Sequence, residues 1–493
     1  MSIQLFDYQS AILDKLRAGF AAGHRAQMLY CATGGGKTEM ALSLMEAASR
    51  KMNRSAMILD RIVLCNQTSE RLDKYGIDHG VLQSGHWRYR PYERVQVCSA
   101  QTLEKRGSLP DMKMLIIDEA HQTRAQTVSF IKNNPQILVV GLSATPFTKG
   151  LGNIYTNVVS AITTRELVDQ GRLVPLRVFV GKEIDMEGAK KVAGEWTNKE
   201  AETRGIRITG DIVAEWVKKT HEVFGRPRKT VVFASGVAHA ADLAAQFNEA
   251  GYNFVSLSYK DDDDFKADAI KEFSKPDSAI HGLIATDILT KGFDVPDVMI
   301  GISARPFSKS LASHIQQMGR VMRCSPGKEF ALWLCHSGNY LGFQDQWDDV
   351  FHNGIDKIDD SKEKPRKELK KDEKERATCP RCKYLWVGRT DTCASCGFVR
   401  LAYNEVVSQP GQLEELEQGK NIADRELKQL WYGQLLTVAR DRGYKEGWVA
   451  HKYREKFTVW PKGLKDEQHP VSPEVARWLK SRQIAAAKAR KAA

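Results

Sequence analysis

The chain has no run of about 18 apolar residues, the length a membrane-spanning helix requires, so no membrane anchor is expected. Residues 1–9 lack the basic and apolar segments of a secretory signal, which leaves the cytoplasm of a bacterial cell or phage-infected host as the expected compartment. Nine cysteines in 493 residues are too unevenly spread for a disulfide framework. Five of them, Cys31, Cys65, Cys98, Cys324 and Cys335, sit singly among apolar neighbours, as small buried thiols of a reducing compartment do. An acidic excess is also missing: 73 Lys and Arg against 61 Asp and Glu leave +12, which suits a polyanionic partner without identifying one. No nuclease constellation stands out.

What is there is the composition of a folded, multi-domain protein, 42% hydrophobic and 27% charged. Short apolar runs at 27–31, 55–59, 95–99, 114–117 and 137–142 alternate with helical stretches, the rhythm of a parallel sheet with covering helices. A second set at 229–234, 253–257, 282–285, 298–302 and 330–334 repeats it, predicting two similar α/β lobes. Residues 151–225 join them, and 355–377, dense in Lys, Glu and Asp, read as a charged linker or solvated helix that ends the two-lobed part.

Residues 31–38 follow a predicted strand and open a helix, the context in which a phosphate loop is credible. Thr33, Gly34, Gly35 and Gly36 let backbone N–H groups close around phosphate oxygens, and the helix N-terminus adds positive potential. Lys37 would reach the β and γ phosphates of ATP, and Thr38 would offer a hydroxyl to Mg2+. The usual first glycine of this pattern is Cys31. Further on, an apolar strand runs into Asp118, Glu119, Ala120 and His121. Delivered at adjacent strand ends, Asp118 suits the magnesium shell and Glu119 the polarisation of an attacking water.

With these two elements the chain resembles the superfamily 2 helicases of the DEAH-box variety, over roughly residues 3–340. The resemblance implies a fold of two tandem RecA-like lobes and an ATPase that works on nucleic acid. It assigns Phe6 and Gln9 to adenine recognition, Gln9 by a bidentate amide and Phe6 by ring stacking where many relatives carry Arg. Ser143, Ala144 and Thr145 resemble the third motif, linking the DEAH carboxylates to the nucleic-acid surface. Residues 285–294 are similar to the fifth, with Thr286 and Gly292 near the strand backbone and Asp294 near the ribose. Residues 316–323 are similar to the sixth, in which Gln316 joins the catalytic set and Arg320 and Arg323 are arginine fingers. Their i, i+3 spacing places both on one helical face. Arg61 and the pair Gln101 and Thr102 resemble strand-gripping segments of the first lobe.

Cys379, Cys382, Cys393 and Cys396 form two C-x-x-C knuckles, enough thiolates for a tetrahedral Zn2+, with iron bound as in rubredoxin the alternative. Beyond them, residues 431–460 interleave aromatics with bases, a pattern that fits either a small helical core or a nucleic-acid face. Residues 477–491 carry six basic residues and no acidic one, as a basic arm does. A superfamily 2 lobe pair followed by a four-cysteine module resembles the bacterial RadD-like helicases, and the tail resembles that of phage and prophage relatives. This implies DNA as substrate, a role in repair, recombination or replication, and a single-stranded-DNA-binding protein as a partner. The expected divisions are 1–165 for the first lobe, 166–354 for the joining segment and second lobe, 355–377 for the linker, 378–402 for a zinc module and 403–493 for a helical, basic tail. An RNA helicase, and a nucleic-acid clamp that does not travel, remain open alternatives.

Overall fold

The computed structural model describes residues 3–107, 109–181, 211–286, 293–307, 310–360 and 413–416, most of 420–482, and the backbone of four two-residue strands between 191 and 409. Among the described residues, β1 (Ala26–Tyr30), β2 (Ser55–Leu59), β3 (Gly80–Leu82), β4 (Val95–Ser99), β5 (Met114–Ile117), β6 (Leu138–Ser143) and β7 (Asn157–Val159) make one sheet. Its order is β3-β4-β2-β5-β6-β1-β7, every pair parallel. These strands read as near-continuous apolar runs because helices cover both faces, so neither side can be polar. The helices are α1 (Asp7–Ala21), α2 (Lys37–Arg50), α3 (Ile62–Lys74), α4 (Ala100–Arg106) and α5 (Ala125–Asn133).

After α6 (Thr164–Asp169) the second sheet begins with β8 (Leu176–Gly181) and continues with β9 (Thr230–Ala234), β10 (Phe254–Leu257), β11 (Gly282–Ala285), β12 (Ile300–Ala304) and β13 (Ala331–Cys335). It is closed by β14 (Leu413–Glu415), giving the order β10-β11-β9-β12-β13-β8-β14. All its pairs are parallel except β14 against β8. Its helices are α7 (Ile212–Phe224), α8 (Val237–Glu249), α9 (Asp263–Ser274), α10 (Leu311–Val321) and α11 (Asn339–Asn353). The two parallel-sheet lobes are those of tandem RecA-like domains. One apolar cluster takes residues from both, including Leu59 and Leu72 from the first and Phe293 and Val295 from the second.

The joining stretch is less of a connector than expected, since β7 belongs to the first sheet and β8 pairs with β13, Leu176 opposite Ala331. Nor does the chain leave the lobes at 355. Ile355 is buried, Ile358 packs on the first lobe, and the Gly152 N–H donates to the Asp359 carbonyl at 2.8 Å. The chain then returns as β14, where Arg177 grips Glu415 through two bonds of 2.6 and 2.7 Å.

Residues 361–407, and with them Cys379, Cys382, Cys393, Cys396 and the expected zinc module, lie outside the described residues, as does most of the basic arm at 477–491. Among the described residues, no group of three or more His, Cys, Asp or Glu is arranged to hold a metal. No helix among them is long and apolar enough to cross a membrane. In the tail, α12 (Lys420–Asp441) and α13 (Trp448–Phe457) enclose Trp431, Leu435, Tyr453 and Phe457, so much of its aromatic content is core.

Candidate active site at the interlobe cleft

β1 delivers the loop that starts α2. Gly34 and Gly36 are left-handed, at φ 89° and 77°. A Cβ on Gly36 would also fall 2.1 Å from Gln9 Nε2, so glycine is required there twice over. The Gly35 carbonyl accepts from Tyr8 Oη at 3.2 Å, Gln9 Nε2 at 3.3 Å and Cys31 Sγ at 3.4 Å. Cys31 therefore has a use in place of glycine. Its buried thiol, pushed up to about 11 by burial, remains a neutral donor that backs the loop from behind. Lys37 Nζ donates to the Cys31 and Ala32 carbonyls at 3.1 and 3.4 Å.

The leader is held against this loop. Gln9 is buried, its Oε1 accepts the Phe6 N–H at 2.9 Å, and its Nε2 donates to the Gly35 carbonyl at 3.3 Å. Each end of the amide thus has one partner inside the protein, which leaves a second N–H and a second lone pair for a base edge. Phe6 is 44% exposed, and the Arg172 guanidinium lies 3.7 Å from its ring centroid. A guanidinium from the joining stretch thus lies on the ring at position 6.

β5 ends in Asp118 and Glu119. Glu119 has φ 47° and ψ 47°, a left-handed conformation that costs a non-glycine residue about 1 kcal/mol or more. Burial, then the charge of Glu119, raises the Asp118 carboxyl to about 6, against the opposing pull of Lys37. His121 Nδ1 lies 3.2 Å from Glu119 Oε2 and 3.0 Å from Ser143 Oγ, and the Thr145 N–H donates to that same Ser143 oxygen at 3.0 Å. The Ser143 hydroxyl of the third motif therefore meets the DEAH segment through His121.

From the second lobe, Gln316 Nε2 donates to Glu119 Oε2 at 3.3 Å and to Thr145 Oγ1 at 3.4 Å. Gly319 allows this approach, since a Cβ there would fall 2.5 Å from the Thr33 Cβ. Arg320 lies in α10, but Arg323 lies just past its end, so the two do not share a helical face as the spacing suggested. They converge instead on one acceptor: Nη1 of each donates to the Phe293 carbonyl, at 2.9 and 3.0 Å. Burial, with the neighbouring Arg323 second, lowers Arg320 to about 10, which leaves it cationic at neutral pH. Asp294, expected beside a ribose, pairs with Arg323 and lies 3.8 Å from Arg71. The cleft between the lobes has a volume of about 370 Å³, with Lys37, Thr38, Asp118 and Glu119 on one wall and Gln316, Arg320 and Arg323 on the other. A hydroxyl and carboxylates on one wall, facing cations on the other, fit a magnesium-bound triphosphate, with Thr38 and Asp118 as the hard oxygen donors available to the ion.

Sequence reasoning missed Gln67, Thr68, Arg71 and Arg172, which line the same cleft but belong to no contiguous motif. Among the expected strand-gripping residues, Arg61 caps the start of α3 and is half-buried, and Thr286 is half-buried at the end of β11. Thr102 is buried, and its hydroxyl accepts the Ser84 N–H at 3.2 Å. Gly292 lies outside the described residues.

Two family models match these two walls. "Type III restriction enzyme, res subunit" matches residues 2–148, and "Helicase conserved C-terminal domain" matches residues 215–325. The chain belongs to the superfamily 2 helicases. Such a helicase is an ATP-hydrolysing enzyme. This one is 25% identical over 388 residues to a 51.5 kDa protein of Lactococcus phage (isolate 7-9), covering 75% of this chain and 77% of that one. Over 128 residues it is 24% identical to the mouse ATP-dependent RNA helicase DDX42, 26% of this chain and 14% of that one. Its fold is similar to that of a fragment described as an HsdR subunit of a type I restriction enzyme from Vibrio vulnificus YJ016, with TM-score 0.54, 19% identity, and coverage of 72% of this chain and 67% of that one. It is also similar to the type ISP restriction-modification enzyme LlaBIII bound to DNA, with TM-score 0.50, 16% identity, and coverage of 68% and 28%.

Proposed function

We propose that this superfamily 2 helicase is a DNA motor in which ATP held between the lobes drives their closure on a strand. The observation that carries the reading is Gln316, which joins the second lobe to Glu119 and Thr145 of the first within 3.4 Å. Thr33, the three glycines and Lys37 receive the phosphates, and Thr38 and Asp118 hold magnesium, which supplies charge neutralisation when bound. Glu119 orients and polarises the attacking water. Arg320 and Arg323 leave the Phe293 carbonyl for the γ-phosphate, where their charge stabilises what develops in the transition state. Because each wall is incomplete without the other, nucleotide binding favours closure and hydrolysis releases it.

DNA is favoured by the net charge of +12, by the resemblance to RadD-like helicases, and by a structural neighbour solved on DNA. The same resemblance supports work in repair, recombination or replication beside a single-stranded-DNA-binding protein. Cys379, Cys382, Cys393 and Cys396 are read as ligands of a structural zinc on their spacing alone. An RNA substrate is the second reading, favoured by the match to an RNA helicase over about a quarter of the chain. ATPase rates on single-stranded DNA, duplex DNA, forked and branched junctions and RNA, at stated salt, decide between them. Stimulation by DNA and displacement of a triplex strand are expected; stimulation by RNA alone, or by nothing, would sink the DNA-motor reading.

A further inference from the structure

The loop 83–94 joins the edge strand β3 to β4, and its main chain is tied down along its length. The Val81 N–H donates to the Arg88 carbonyl at 2.9 Å, and Gln96 Nε2 donates to the Arg90 and Glu93 carbonyls at 2.9 and 2.8 Å. Arg54 holds the Pro91 carbonyl at 2.6 Å. Folded back this way, the loop runs along the unpaired edge of β3, held there by Gln96 and Arg54. Yet Trp87 on this fixed loop is 75% exposed. An indole is normally among the most heavily buried side chains, and one presented to water on a rigid support is arranged for contact.

The ring is itself supported. The Arg88 guanidinium, anchored by Asp73 at 2.7 Å, lies 4.6 Å from the Trp87 centroid, and His86 stacks on it at 5.9 Å with planes 22° apart. Its place in the fold is informative too. The strands of this sheet are parallel, so the residues that follow their C-terminal ends share one rim. In the order β3-β4-β2 that rim carries the start of the loop, whose Ser84 N–H donates to the Thr102 hydroxyl at 3.2 Å, then Gln101, then Arg61. Neighbouring strands stand about 4.8 Å apart, so the start of the loop, Gln101 and Arg61 follow one another along that rim, with Trp87 five residues beyond the end of β3.

We propose that Trp87 is a base-stacking platform for an unpaired DNA strand, extending the line of Arg61 and Gln101 to the outer end of the first lobe. The inference rests on the reading of the chain as a DNA motor. Charge complementarity supports the occupant, because the loop carries Arg88, Arg90 and Arg94 against the single carboxylate Glu93, and every base presents a π-face whatever its sequence. Tyr92, 72% exposed, lies toward the far end of the loop, near the start of β4, and so marks a position off the line.

The test measures fluorescence anisotropy of a labelled oligothymidylate and of an abasic strand of equal length, with the full chain. Wild type is compared with Trp87→Ala, Trp87→Phe and Tyr92→Ala. Trp87→Ala should weaken binding of the oligothymidylate by about 5- to 100-fold, the range that loss of one aromatic stack gives. Trp87→Phe should recover most of it, Tyr92→Ala should change nothing, and the abasic strand should bind wild type and Trp87→Ala alike. Equal binding of oligothymidylate by wild type and Trp87→Ala, or an equal loss on the abasic strand, would overturn the platform while leaving the motor reading intact. Absence of binding by wild type to either strand would overturn both.

Discussion

Gln316 Nε2 lies 3.3 Å from the Glu119 carboxylate although the two residues belong to different lobes. The bond couples the position of the group proposed to polarise water to whether the lobes are together. Gln316→Ala should therefore lower kcat by roughly 10- to 100-fold, the scale of losing one positioning contact, while ATP affinity changes only a few-fold. Single-turnover hydrolysis beside equilibrium nucleotide binding checks this. An affinity loss that accounts for the whole effect would place Gln316 in ground-state binding.

Glu119→Gln should retain ATP binding and all but abolish turnover, since the amide keeps the shape of the side chain but cannot act as a base. Arg323→Ala should do likewise from the opposite lobe by removing a charge from the transition state. Steady-state hydrolysis at saturating ATP is the measurement, and normal turnover in either variant would refute the assignment.

Arg172 and Phe6 form a stacked pair at 3.7 Å beside the phosphate loop. Either Phe6→Ala or Arg172→Ala should raise the Kd for ATP by about 2- to 10-fold, the reach of a partly exposed cation–π contact, and the double variant should be no worse than the more affected single one. Fluorescent-nucleotide titrations of the three variants report this. Additive losses would mean that the two residues act separately.

Lys328 is buried and donates to the carbonyls of Pro296 at 3.0 Å, Val298 at 2.5 Å and Val321 at 2.7 Å, tying the segment after Asp294 to the end of α10. Lys328→Met keeps the aliphatic volume but strands three acceptors, and should cost roughly 2 to 4 kcal/mol. Denaturant unfolding of the second lobe checks the value. An unchanged midpoint would show that water replaces the ammonium.

The strands that could be read in advance were those buried on both faces, such as Met114–Ile117, where burial leaves no choice but apolar residues. β3 has three residues, and β14 has one apolar residue in Leu-Glu-Glu, so neither carries a period to detect. Motif order indicated which residues border the cleft because each motif is contiguous. It was silent on Arg172, brought in from the joining stretch, and on the burial of Thr102, because a motif match records residue type and not the direction a side chain takes. The inward turn of Gln9 was hidden for a related reason: its partner Gly35 is fixed by the loop, and only coordinates reveal that the amide reaches it.

β14 lies beyond the cysteine-bearing stretch in sequence yet completes the second sheet against β8. Stopping the chain anywhere from 361 to 412 would strip that strand and leave β8 with a bare edge, inviting self-association. In sequence the four cysteines lie between two anchored positions, Asp359 against the first lobe and Glu415 against the second. Their contribution has to be isolated by excising the segment and rejoining the flanks, because a simple truncation also removes a strand of the second sheet.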